Sequence, residues 1–293
     1  RMLGGVDVFF SPHFLITALS PGVRRVTTFH DLSFELFPEF FSRKQWLWHR
    51  FVNPAWQARF SQQIIAVSDS TKRDLTRHYY VDPARVTTIY SGVSSDFRLI
   101  PEELIKGFKQ NKKLPERYIF AMGTLEPRKN IGGLIDAFNA LKRLPGFDDI
   151  QLVIGGARGW LNEDLFRQGR QSPFAAAIDF REHIKEFERP FYYAGAQLFV
   201  YPSFFEGFGF PPLEAMASGI AVVASSTSSL PEVVGDAALL VNPYHTSDLV
   251  SAIQSVLTDS NFRGQLIKKG LARAAQFSWQ KSAQKTLDVL TRS

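Results

Sequence analysis

Residues 198–219 read, in order, as a buried strand, a glycine-rich turn and a helix, and that order constrains the fold more than any other feature of the chain. Leu198-Phe-Val-Tyr-Pro-Ser203 is a short apolar run rich in β-formers, stopped by proline and serine. Glu206-Gly-Phe-Gly-Phe-Pro-Pro-Leu-Glu214 follows, an E-x7-E spacing with two glycines and a double proline. Either proline suits a first helical turn, where an N–H would be unpaired anyway, and Gly219 suits the position just past a helix end. Glu206 is therefore expected on a loop at the carboxyl end of a strand, and Glu214 in the first turn of the next helix. Unpaired N–H groups and the helix dipole favour an anion there. Two carboxylates beside such a terminus suit a sugar nucleotide, with one for ribose hydroxyls and the other for a hexose. A first-turn Glu can equally serve the dipole alone, and a Gly-rich loop can be only a turn.

The same strand–helix alternation runs through the chain. Strands are expected at 6–10, 25–29, 63–67 and 86–90, with helices near 43–60 and 71–79, the latter capped by Ser70. A charged, proline-containing stretch at 98–117 reads as a linker. A second block places strands at 118–123, 150–155, 198–203, 220–224 and 238–241, and Ser229-Leu-Pro-Glu232 reads as a capping box. Such alternation implies parallel sheets covered on both faces, with ligands at the carboxyl ends of the strands. The expected domains are 1–97, the linker 98–117, and 118–278. The length of 293 residues fits two domains, each with its own core. The last stretch, 279–293, is helical in pattern.

Composition excludes several classes. The chain has no cysteine, which removes disulfides, thiolate zinc sites and cysteine nucleophiles and fits a reducing cytosol. Six scattered histidines show no metal-ligand spacing, and no D-x-D occurs to hold a metal on a diphosphate. No metal or other cofactor is expected. A formal charge of +6 admits nucleic acid, but no nucleic-acid-binding module accompanies it. Between Ser42 and Phe60, Arg43, Lys44, Arg50 and Arg59 interleave with Trp46, Trp48, Phe51 and Trp56, without an acid. That pattern reads either as peripheral contact with the inner face of a membrane or as core aromatics beneath a wet cationic face.

The strand, the G-x-G, the double proline and the paired glutamates together resemble the retaining family-4 glycosyltransferases of the GT-B fold, and the resemblance extends from about Val6 to the C-terminus. It implies an α/β architecture of two Rossmann-like, doubly wound parallel-sheet domains, with the last helix packing back on the first. Family members open with a strand and glycine-rich loop not seen here, so the N-terminal domain is expected to be incomplete and transfer by this chain alone to be poor. The resemblance makes Glu206 and His30, of Phe29-His-Asp31, the catalytic candidates at the interdomain cleft, although His30 read alone could be a core histidine and Asp31 its partner or a local cap. It assigns the donor sugar to Gly207, Phe208 and Gly209, the ribose to Glu214, and the phosphates to Arg128, Lys129, Phe210 and Leu213. Arg128 and Lys129 stand in Gly123-Thr-Leu-Glu-Pro-Arg-Lys-Asn130, where a solvated basic turn capped by Asn130 is the competing reading; Thr124 occupies a slot that is Arg in many members. Asp179-Phe-Arg-Glu-His-Ile184 resembles the loop that carries the nucleobase, with Ile184 as the candidate, and Ser91-Gly-Val93 the turn that closes the first domain.

The function implied is transfer of a hexose, with a lean to mannose from GDP-mannose, onto a glycan or lipid-linked acceptor with the α-configuration kept. No residue is placed as a covalent nucleophile, so front-face substitution is expected. The alternatives are a sugar-nucleotide epimerase and a catalytically silent, membrane-associated binding module.

Overall fold

The computed structural model describes residues 5–15, 17, 19, 20 and 22–291. It divides into two compact units: the first comprises residues 1–92, 206–208 and 277–293, the second 93–205 and 209–276.

The first unit holds a four-stranded, wholly parallel sheet in the order β1-β2-β3-β4, formed by Val8–Ser11, Arg24–Phe29, Gln63–Ala66 and Val86–Thr88. Side-chain alternation gives the sheet two apolar faces. Ile64 and Ala66 join Phe14, Phe29, Leu75 and Val86 in one cluster. Val26 and Ile65 join Ile89 and Val289 in another. Val289 belongs to the terminal helix Trp279–Thr291, whose last turn is held by the Arg24 guanidinium donating to the carbonyls of Val289 and Leu290. A cation is favourable at a helix C-terminus, where carbonyls are unpaired.

The helical stretch expected at 43–60 is two helices, Arg43–Val52 and Pro54–Phe60. Asn53 breaks it by taking left-handed φ, and its side chain then accepts from the Trp56 amide at 3.1 Å. Val52, Gln57 and Ala58 face inward, while Trp46, Trp48, Phe51 and Trp56 are exposed. These aromatics are not core. The next helix, Asp69–His78, starts two residues earlier than expected, because Ser68 rather than Ser70 caps it, accepting from the Thr71 amide at 3.0 Å.

The second unit carries a six-stranded parallel sheet in the order β10-β9-β8-β5-β6-β7. The strands are β5 Tyr118–Met122, β6 Gln151–Gly155, β7 Ile178–Arg181, β8 Leu198–Tyr201, β9 Val222–Ser225 and β10 Leu239–Val241. Strand order reverses between β5 and β8, which pair directly through Ile119 with Leu198 and Phe120 with Phe199. Ligands of such sheets bind outside the carboxyl ends of the two strands at this switch point.

Three expectations fail in this unit. The stretch 98–117 is not a linker but contains the helix Glu102–Lys112, in which Phe108 stacks on Phe191 at 4.9 Å and Lys112 pairs with Glu188 at 2.6 Å. The unit accordingly begins at Val93 rather than after the linker. Asp179 to Arg181, read as part of a loop, belong to the edge strand Ile178–Arg181 paired to β6, so only Glu182 to Ile184 remain as strand-end backbone. Ser229 precedes the short helix Leu230–Val234 with helical φ and ψ and makes no side-chain cap, so no capping box forms.

Candidate active site

In the second unit the loops following β5 and β8 meet at the switch point and are tied to each other. Phe204 donates its amide to the Arg128 carbonyl at 2.9 Å, and the Arg128 guanidinium donates to the Phe205 carbonyl at 2.6 Å. Arg128 also pairs with Glu126 at 2.6 Å, and Glu126 is buried. Lys129 is only 8% exposed; its ammonium donates to the Tyr201 hydroxyl at 2.7 Å and lies 5.1 Å from that ring's centre. The basic pair is therefore not a solvated turn. Asn130 takes left-handed φ and caps nothing with its side chain, donating instead to the Pro243 carbonyl at 2.8 Å.

The loop after β8 leads into the helix Phe210–Ala217 through Gly209, whose φ is +110°. A Cβ there would be strained and would lie 2.7 Å from Leu230 Cδ2, so glycine is required. Pro211 and Pro212 carry no N–H, and the Leu213 amide is the first that can bond back to the N-cap carbonyl of Gly209, which leaves the amides of Gly209 and Phe210 as the donors this terminus can offer. Glu214 is the fifth residue of the helix, not a first-turn residue, because the helix already begins at Phe210. Its carboxylate accepts from the Arg189 guanidinium on both oxygens and from the Tyr193 hydroxyl at 2.8 Å. Glu214 is 6% exposed, and burial, then the neighbouring carboxylate, hold the Tyr193 phenol above its ordinary range. Arg189 lies 5.4 Å from the Phe97 ring, which completes the enclosure. Ile184 lies past the end of β7, with its Cδ1 2.5 Å from where a Cβ on Gly155 would stand.

The first unit gathers the remaining candidates. His30, at the end of β2, is exposed rather than core, and its Nε2 donates to the Pro12 carbonyl at 2.9 Å. That bond puts the proton on Nε2 and leaves Nδ1 as the acceptor of the neutral ring. Asp31 serves its own turn, accepting from the Ser33 amide at 2.9 Å and hydroxyl at 2.7 Å. Glu206, Gly207 and Phe208 cluster with this unit, and Glu206 is 7% exposed. A Cβ on Gly207 would fall 1.9 Å from the His30 carbonyl oxygen, so this backbone approach tolerates glycine alone. The Thr71 hydroxyl lies 3.3 Å from the His30 carbonyl and 3.4 Å from that of Gly207. Phe208 packs against Tyr90 and Phe277. His13 stands 5.6 Å from His30, ring to ring, and burial followed by the His30 charge keeps it below the ordinary histidine value.

Sequence reasoning missed Arg189, Tyr193, Tyr201 and Thr71. Only Tyr201 carried a local signal, a polar aromatic at the carboxyl end of the strand that precedes the motif. Among the described residues no group of three or more His, Asp or Glu side chains is placed to hold a metal ion.

Residues 104–273 match the family described as Glycosyl transferases group 1, more than half of the chain. The chain belongs to the group 1 glycosyltransferases. Residues 4–97 match Glycosyltransferase Family 4. The O-antigen chain mannosyltransferase B of Escherichia coli is 33% identical over 289 residues, 96% of this chain and 72% of that protein. A serotype-specific mannosyltransferase, WbdA of Escherichia coli, is 31% identical over 78% of this chain, which spans only 28% of that longer protein. Among solved structures, Anabaena HepE with UDP and glucose covers 92% of this chain at a TM-score of 0.78 and 22% identity, with 72% of its own length matched. The lipopolysaccharide glycosyltransferase WaaG covers 100% of it at 0.78 and 18%, over 80% of its own length. These likenesses place the group 1 chain in the GT-B fold. It is a hexosyltransferase that takes its sugar from a nucleotide sugar.

Proposed function

We propose that this glycosyltransferase moves mannose from GDP-mannose onto a glycan or lipid-linked glycan acceptor of polysaccharide assembly, with retention at the anomeric carbon and without a metal. The observation that carries the reading is the 33% identity, along 96% of the chain, to an O-antigen mannosyltransferase. In this reading the diphosphate lies over the first turn of the helix, at Phe210 and Leu213, with Arg128 and Lys129 supplying positive charge for the departing phosphate. Glu214 accepts from the ribose hydroxyls through the lone pairs that Arg189 and Tyr193 leave open. Ile184 packs on the base. Glu206, on the loop before the helix, and His30 face the sugar and the acceptor. The leaving diphosphate helps take the acceptor proton, since no group is assigned as a covalent nucleophile.

Calorimetry with GDP, UDP and ADP, followed by transfer from the corresponding mannose and glucose donors in the presence of a chelator, tests this directly. GDP is expected to bind most tightly, and mannose transfer to survive chelation. Tighter binding of UDP would move the donor assignment, and loss of transfer with rescue by a divalent cation would remove the metal-free mechanism.

A further inference from the structure

The first unit contains a cavity of about 440 Å³, a size usual for small-molecule sites, to which the sugar-transfer chemistry assigns nothing. It opens between the short helix Ser33–Leu36, the helix break at Asn53 and Tyr79, the residue that ends Asp69–His78. Its walls therefore lie within that one unit. His30 is not among them. One wall is the His49 ring, stacked on Phe34 at 4.3 Å. Beyond it, ring to ring, Phe14 lies 6.2 Å from His49, His13 4.0 Å from Phe14, and His30 5.6 Å from His13.

The fold leaves polar groups in this cavity with bonds still to make. The Tyr79 hydroxyl is buried without a hydrogen bond of good geometry. Burial, and then the nearby Glu35 carboxylate, hold that phenol above its ordinary range. His49 bonds through Nδ1 to the Gln45 carbonyl at 2.8 Å, and burial favours its neutral ring, so Nδ1 carries the proton and Nε2 keeps a lone pair. Asn53 accepts from the Trp56 amide with its Oδ1, which keeps its Nδ2 as a donor. Arg50 lines the same cavity, with its guanidinium 5.3 Å from the centre of the Trp46 ring.

This mixture selects the occupant. A phosphate group would meet Glu35 as well as Arg50, and an acyl chain would strip water from polar groups it cannot bond. A neutral sugar suits both kinds of wall, since each hydroxyl donates and accepts while the C–H face of a pyranose ring packs on an aromatic side chain. We propose that this cavity holds a neutral sugar residue of the acceptor glycan other than the one that reacts, an inference that rests on the glycan acceptor of the proposed function. Glu35, Tyr79, His49 and Asn53 bond its hydroxyls, and Trp46 covers its apolar face. A glycan held here and at its reacting end is bound through two linked contacts, so the cavity adds affinity for long acceptors and none for short ones.

The test is calorimetry of the full chain with α-linked mannotetraose, maltotetraose and cellotetraose, and it needs no donor. The wild type is expected to bind the mannotetraose. Glu35→Ala should weaken that binding about tenfold or more, and Tyr79→Phe about threefold to tenfold, the factors for losing a charged and a neutral hydrogen bond. Trp46→Ala should weaken it as well. All three should melt as the wild type does, because Glu35 and Trp46 are exposed and the Tyr79 hydroxyl has no good bond to lose. In transfer assays they should raise the KM of the tetraose acceptor and leave its kcat, and the KM of methyl α-mannoside, at wild-type values. No binding of any of the three tetraoses, or wild-type affinity in every variant, would overturn the proposal whatever the donor proves to be. So would tighter binding of inorganic phosphate that Arg50→Gln abolishes, which would assign the cavity to an anion. Tetraose binding that depends on these residues, beside transfer from a donor other than GDP-mannose, would correct the proposed function and support the cavity.

Discussion

The two units solve different problems with the same parallel-sheet architecture. In the second, the groups around the switch point are closed on one another: Glu126 on Arg128, Lys129 on Tyr201, Glu214 on Arg189 and Tyr193. Glu126, Lys129 and Glu214 are buried, Arg128 and Arg189 are half-buried, and all are paired within the unit. The first unit has a smaller sheet, an exposed histidine at the end of β2 and a surface of tryptophans and cations. Of its two catalytic candidates, His30 is exposed and Glu206 is buried. A polar anchor inside the second unit should therefore affect stability and binding together, whereas changes around the first unit's candidates should separate turnover from binding.

The largest effect is expected at Glu214. Removing its carboxylate leaves the Arg189 guanidinium in a mostly buried position without its counter-charge, a loss of about 3–5 kcal/mol when a buried pair is broken on one side. Glu214→Ala should show this in a denaturant melt, and the folded fraction should also bind nucleoside diphosphate more weakly by about 1.5–3 kcal/mol. Arg189→Ala should match the stability loss without removing the ribose acceptor itself. Glu214→Ala melting within about 1 kcal/mol of wild type would mean that solvent screens the pair, and the contrast between the units would lose its clearest member.

Glu206→Ala should break the pattern in the opposite way, lowering turnover by about a hundredfold, the scale of one lost transition-state contact. Free nucleoside diphosphate should bind it as it binds the wild type. A fall in nucleotide affinity equal to that of Glu214→Ala would place both carboxylates on the nucleotide.

Much of this arrangement was legible because it is local. The strand, Gly209, the double proline and Glu214 lie within 17 residues, and the backbone angles of that segment follow from residue type. The partners were not legible, since Arg189 and Tyr193 stand 25 and 21 residues from Glu214 and reach it only once their helix packs. Strand β7 was hidden because it is an edge strand, partly exposed along its length, whose Ile-Asp-Phe-Arg lacks the continuous apolar run of β5 and β8. The helix Glu102–Lys112 was hidden because its charged residues outweigh one narrow apolar stripe through Ile105 and Phe108. The exposed tryptophans escaped a decision because helical spacing alone does not say which face a core will cover.

Arg128→Ala/Lys129→Ala tests whether the preformed loop pair meets phosphate or serves only as a stitch. Both cations already hold the loops, so some stability should be lost in either case. The discriminating quantity is the difference between nucleoside diphosphate and bare nucleoside, which should fall by about 1.5–3 kcal/mol if charge-assisted bonds to the phosphates are removed. That difference should also shrink as salt is raised in the wild type, because partly exposed pairs are screened. Equal losses for both ligands would leave the pair as structure.

The smallest effect is a pH dependence confined to the first unit. Burial, and then the charges of His30 and His49, lower the pKa of His13 below its ordinary 6.5; burial likewise lowers that of His49, against the bond it donates to the Gln45 carbonyl. Because the folded state resists the proton, the unfolded chain takes up more protons once the pH falls through 6.5. The stability held by the neutral rings is thus complete above that value and is lost as the pH falls from it toward the lowered folded values. Tryptophan emission can assign the loss, since Trp46, Trp48, Trp56 and Trp279 lie in the first unit and only Trp160 in the second. A melt followed by tryptophan emission should hold steady above pH 6.5 and weaken as the pH falls below it, and His13→Phe/His49→Phe should flatten that slope. An unchanged slope in the double variant would show that groups other than these two rings make the first unit acid-sensitive.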